Sequence, residues 1–236
     1  MSEVIHRADS RGVAEHGWLH SRHTFSFAEY YDRDRMGFGA LRVLNDDIVE
    51  PGMGFGTHPH ENMEIVSIPL SGCLRHEDSM GNKHIISAGE VQVMSAGTGI
   101  SHSEYNNSDT EPVNFLQIWV LPKERNVAPR YDQRVIDPHD RAGRFQLLAS
   151  PDGGLGSVLI NQDAWFSMAD FGAGDSVPYE LSDSANGVYL FVIDGVLEAD
   201  SIALSKRDGL GVIGRPRIEC KANSAATVLC IEVPMK

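Results

Sequence analysis

His58-Pro59-His60 and His102-Ser103-Glu104 each place two metal-capable side chains at i and i+2. Successive side chains along a β-strand point to opposite faces, so each pair directs two groups to one side of a sheet. Two such strands facing a common interior would bring three imidazoles and one carboxylate to a point. These ligand types suit a divalent transition metal and leave room for a substrate. An isolated His-x-His is weak evidence, and Pro59 argues for an edge or irregular strand because proline cannot donate to a ladder. The second pair strengthens the first, since each follows a Gly-rich turn: Gly52-Met-Gly-Phe-Gly-Thr before His58, and Ala96-Gly-Thr-Gly-Ile-Ser before His102. Glycines at those places allow tight approach of the backbone and leave space beside an ion.

The elements that must position these groups are strands. Gly-rich turns recur at short intervals with β-branched or aromatic runs between them. The first half offers candidate strands at 41–46, 63–70, 72–78, 83–86, 90–94, 102–105 and 113–121. Asp78-Ser-Met-Gly-Asn82 is a hairpin turn between two of them. A second β-rich block follows from about Arg144, with candidate strands at 145–149, 158–163, 165–170, 188–194, 196–198, 209–213, 217–220 and 226–233. Pro122–Arg141 reads as a polar crossing segment. The expectation is an all-β chain of two antiparallel β-barrel or jelly-roll domains packed together, at 1–134 and 135–236. The aromatic stretch Trp18, Phe25, Phe27, Tyr30 and Tyr31 is expected to pack on a sheet face.

Composition narrows the function classes. The 236 residues carry a formal net charge of −13. There is no local Lys/Arg cluster, which disfavours direct nucleic-acid binding because that affinity comes largely from counterion release at a basic surface. No apolar run reaches bilayer-spanning length, and the N-terminus lacks a secretory pattern. Cys73, Cys220 and Cys230 show no CxxC spacing and read as reduced thiols of a cytoplasmic protein. Outside the two pairs, His76 and His84 lack ligand spacing and are expected to be solvated. His16 and His23 are expected to be structural, and the second block has no His-x-His or His-x-Glu.

The same residues carry a family resemblance. Gly52…His58-Pro-His60…Glu64…Gly72 and Gly89…Gly97…His102…Asn106 resemble the two cupin motifs. His16-Gly-Trp-Leu, His23-Thr-Phe-Ser-Phe, Gly54-Phe-Gly-Thr-His-Pro-His60, Asp78-Ser-Met-Gly-Asn82 and Met94-Ser-Ala-Gly-Thr-Gly-Ile-Ser-His-Ser-Glu104 resemble the pirin family, densely through about Arg134. In cupins generally the glutamate after His-x-His is a common ligand, here Glu64. The pirin pattern instead takes the carboxylate from the second motif, here Glu104. The resemblance therefore implies a bicupin whose first domain binds one divalent metal through His58, His60, His102 and Glu104. Iron is the expected ion; zinc, cobalt, nickel, manganese and copper are compatible with the ligand types. It implies quercetin 2,3-dioxygenase activity, with dioxygen cleaving a flavonol and releasing carbon monoxide, and with Glu104 taking the proton of the flavonol 3-hydroxyl. Phe55, Met53 and the N-terminal aromatics are candidates for the apolar wall. The alternative implied by the family is a metal-dependent regulatory protein that meets a protein partner.

Overall fold

A computed structural model describes residues 2–235. The all-β expectation holds: the chain forms four sheets, one seven-stranded and one four-stranded in each half. In the first half the large sheet runs in the order Arg130–Val135, Glu90–Ser95, Glu64–Ser71, Val113–Val120, Leu41–Val49, Leu19–His23, Gly12–Glu15. Its small sheet runs Gly54–His60, Ile100–Asn106, Cys73–Asp78, Lys83–Ser87. The second half repeats this arrangement, with the small sheet Ser176–Glu180, Arg217–Ala222, Val196–Ala199, Ile202–Ser205.

Strand alternation distributes the apolar residues. Val66, Ile68, Leu116 and Ile118 point outward from the first barrel and join Phe166, Met168, Phe191, Leu229 and Ile231 in one core between the two large sheets. The opposite face lines the barrel interiors. Inside the second barrel Leu190, Val192, Ile218 and Val228 pack into an apolar cluster, and Cys220 and Cys230 lie buried among them as free thiols. Inside the first barrel Leu19, Val49, Leu74, Ile86, Val113 and Phe115 form one apolar cluster, and Ile65, Met94, Ala96 and Ile100 form another. Between the two clusters lie Asn45, Asp47, Ser67, Gln117, His102 and Glu104, all buried. That polar band is where the two sequence pairs converge.

Several elements differ from the sequence expectation. Ser2–His6 pairs with Gly209–Ile213, so the N-terminal strand is the edge of the second half's large sheet although it lies within 1–134. Its His6 Nδ1 is 2.8 Å from the hydroxyl of Tyr189, which ties the strand to that core. Arg130–Val135, inside the expected crossing segment, pairs with Glu90–Ser95 instead. Its polar, half-exposed face hid it, because an edge strand with little buried surface shows no apolar alternation. Phe25 is fully buried in the aromatic stretch, but Tyr31 is exposed.

Candidate metal centre

Gly54–His60 is an edge strand, as Pro59 requires, and pairs with Ile100–Asn106. His58 lies opposite His102 and Phe55 opposite Glu104, so three residues on one strand span two on the other. This bulge frees the Gly56 carbonyl, which accepts from His58 Nδ1 at 2.8 Å. A Cβ on Gly54 would overlap the Glu104 carbonyl and the Tyr105 backbone, so only glycine lets the strands approach this closely.

The His58, His60 and His102 rings converge, with centroids 4.5–4.9 Å apart. His58 Nε2 and His102 Nε2 face each other at 3.1 Å. Two nitrogens each about 2.1 Å from one ion lie about 3.0–3.4 Å apart. With its Nδ1 donating to Gly56, Nε2 is the atom His58 has left for a metal, and the arrangement fits a shared cation. Burial, then the neighbouring imidazoles, lowers His60 and His102 to about 3, which keeps both neutral and able to ligate at physiological pH.

Glu104 belongs to a second grouping with His102 and His76, so His102 is common to both. The Glu104 carboxylate accepts from Ser67 Oγ at 3.1 Å and from Gln117 Nε2 at 2.7 Å. Burial pushes its pKa above the usual carboxylate range, offset in part by these bonds and by nearby imidazoles. Glu104 nevertheless lines the same cavity as His58 and His60, about 60 Å³ in volume, with Phe27, Asn45, Asp47, Phe55, Gln117 and Trp119. Two polar atoms of that wall, Asn45 Oδ1 and Trp119 Nε1, are buried without a hydrogen-bond partner. Asp47 accepts from Ser21 Oγ and is pushed up to about 7, first by burial and then by the charges of Asp46 and Glu104.

One expectation is overturned: His76 is not solvated but fully buried, against the inner side of His102. Its strand Cys73–Asp78 runs between Ile100–Asn106 and Lys83–Ser87, and the alternation that buries Leu74 also turns His76 inward, while its cross-strand partner His84 lies on the edge strand and is exposed. His23 is buried, as a structural histidine should be, while His16 is exposed.

Residues 5–120 match the model of the Pirin family, and residues 147–233 match the quercetinase C-terminal cupin domain. A quercetin 2,3-dioxygenase of Escherichia coli K12 is 45% identical over 98% of this chain and 98% of its own. The chain belongs to the pirin family. Its backbone superposes on the pirin YhhW from Escherichia coli with a TM-score of 0.94 at 43% identity, covering 99% of this chain and 98% of the other. A second structure of YhhW, in complex with nickel(II), matches with a TM-score of 0.93 at 42% identity and covers 99% of each chain. Both halves of this pirin are thus cupin-type β domains, and its His/Glu cluster has the donor types of a divalent-metal site.

In this pirin Glu64 stands away from the cluster. It is fully buried, with Oε2 accepting from Ser95 Oγ at 2.7 Å and from the backbone N–H of Asn161 at 3.0 Å, so it joins the two halves. Among the described residues, both metal-capable groups lie in the first half. The wall residues Asn45, Asp47, Gln117 and Trp119 were not legible as a site. The available signal was polar residues at inward positions of otherwise apolar strands.

Proposed function

We propose that this pirin is a metal-dependent dioxygenase that cleaves flavonols such as quercetin, releasing carbon monoxide, with one divalent ion held by His58, His60, His102 and Glu104. The observation that carries the reading is the convergence of neutral imidazoles, with His58 and His102 presenting Nε2 to one point at 3.1 Å, beside a buried carboxylate. Iron is the proposed resident ion. When bound, the ion supplies Lewis-acid activation of the substrate's hydroxyl oxygen and access to dioxygen chemistry.

The chain's own residues perform the rest. Glu104, made more basic by burial, takes the proton of the flavonol 3-hydroxyl, and Ser67 and Gln117 hold its carboxylate in place while it does so. Phe27, Phe55 and Trp119 supply flat apolar walls, and the unpartnered Asn45 Oδ1 and Trp119 Nε1 offer an acceptor and a donor to substrate oxygens. Met53 is 43% exposed and lies outside that wall. The cavity of about 60 Å³ takes the reacting edge of the substrate, and the remaining rings lie toward solvent. The exclusion of bulk water by these aromatics protects the deprotonated substrate from side reactions.

Elemental analysis of protein purified from its own host, followed by oxygen uptake and carbon monoxide release on quercetin with the same sample, tests this. One ion per chain with stoichiometric oxygen consumption is the expected result. A metal-replete protein inert toward flavonols would overturn it.

A further inference from the structure

His76-Glu77-Asp78 places another histidine and a carboxylate at i and i+2, on the strand beside the one that carries His102 and Glu104. The side chains of His76 and Asp78 are both fully buried. His76 Nδ1 lies 3.5 Å from His102 Nδ1, and His76 Nε2 lies 3.3 Å from Asp78 Oδ2. Asp78 is anchored in turn: its Oδ1 accepts from the backbone N–H groups of Met80 and Asn82 at 2.9 and 3.0 Å, and its Oδ2 from Asn82 Nδ2 at 2.8 Å. Tyr131 packs on the His76 ring at 4.7 Å and holds its plane.

Proton placement along this line has one solution compatible with a metal at the centre. His102 Nε2 can ligate only if its ring proton sits on Nδ1. That N–H points at His76 Nδ1, which must therefore accept. The one remaining ring proton of His76 then sits on Nε2 and donates to the Asp78 carboxylate. Reversing the direction puts a proton on His102 Nε2, the atom 3.1 Å from His58 Nε2, and closes the ligand position. A histidine ligand is oriented, and its basicity raised, by what its second nitrogen donates to. Here that partner is a second histidine backed by a carboxylate.

We propose that Asp78 and His76 form a relay that locks His102 in the Nδ1–H tautomer and holds its Nε2 open to the metal ion. The relay rests on the metal reading above, and both residues are positioning residues that act through His102.

The test uses the full chain loaded with Zn(II), a diamagnetic probe, and does not depend on turnover. Nitrogen-15 spectra of histidine-labelled, Zn(II)-loaded protein are expected to show His102 protonated on Nδ1 and His76 on Nε2. In Zn(II) titrations, Asp78→Asn and His76→Phe are each expected to weaken binding by roughly 10–100-fold. An asparagine at 78 turns a donor toward His76 Nε2 and reverses the line, and phenylalanine at 76 removes the acceptor. His76→Gln, whose amide oxygen can accept from His102 Nδ1–H, should recover much of the loss. Met80→Ala changes an exposed side chain of the same turn, 41% accessible, and keeps the backbone N–H that Asp78 accepts, so it should bind Zn(II) as the unaltered chain does. A His76 protonated on Nδ1 in the loaded protein would overturn the relay even if every variant failed to fold. So would unchanged affinity in Asp78→Asn and His76→Phe, or an equal loss in Met80→Ala. Failure of the unaltered chain to take up Zn(II) would overturn the metal reading itself, and the relay with it.

Discussion

His58 Nε2 and His102 Nε2 oppose each other at 3.1 Å across a bulged strand pair. With a cation between them, lone pairs at that separation are a ready-made chelate; without one, the same gap holds a single N–H···N hydrogen bond. His58→Ala should therefore lower divalent-metal affinity by more than ~100-fold, beyond the effect of losing a group behind a ligand. It should cost the metal-free fold little. Added metal at about 100 times its dissociation constant should stabilise the unaltered chain by about 2.7 kcal/mol and leave the variant unmoved. Thermal midpoints with and without Ni(II) check both halves of the expectation.

Glu104 separates folding from chemistry. Glu104→Gln keeps an oxygen for Gln117 Nε2 and turns an amide N–H toward the Ser67 hydroxyl, which can accept it, but cannot take the substrate's proton. Turnover of quercetin is expected to fall by about 10²–10⁴-fold, with the thermal midpoint nearly unchanged. Oxygen uptake beside a melting curve is the measurement, and full activity in the variant would remove Glu104 as the base.

Asp47 should leave a mark on the pH dependence of stability. Its folded-state value, about 7, stands above the ordinary 3.8, chiefly because of burial. Between those values the folded state holds a proton that the unfolded state has released, so stability falls as pH rises through this window. Asp47→Asn removes that dependence while keeping an acceptor for Ser21. The variant's advantage should grow from pH 4 to pH 7 and level off above, reaching at most about 4 kcal/mol. Urea unfolding of both proteins at pH 5, 6, 7 and 8 would read it, and a constant difference would refute it.

Asp46 couples the halves. Its Oδ2 lies 3.4 Å from Arg11 and 3.1 Å from Arg207, and both guanidinium groups are largely buried. Further nitrogens of both arginines already lack partners. Asp46→Ala would leave two buried cations without their carboxylate, at a cost of about 3–5 kcal/mol. Differential scanning calorimetry should show the loss as a lower transition temperature, and an unchanged transition would mean water replaces the carboxylate.

Much of the fold was legible because its signal is local. Strands such as Met63–Leu70 and Val113–Leu121 announce themselves by continuous apolar runs between turn residues, and the observed strands fall at Glu64–Ser71 and Val113–Val120. Arg130–Val135 and Ser2–His6 were hidden because edge strands bury little. Nothing in Ser2–His6 itself says that its partner is Gly209–Ile213.

The chemistry divided along the same line. The i, i+2 spacing of His58/His60 and His102/Glu104 determined by itself that each pair shares a sheet face, because side-chain direction alternates along any strand. The family pattern in those residues named the metal class. Only the tertiary structure decided that the three imidazoles group together while Glu104 groups with His102 and His76. It also placed His76 in the interior. The neighbouring strands Cys73–Asp78 and Lys83–Ser87 pair His76 with His84 on one face of the sheet, yet His76 is buried and His84, on the edge strand, is exposed. How deep each position of a hairpin lies in the barrel is set by how sheets stack over the whole domain, and that long-range packing leaves no mark on the spacing of the residues.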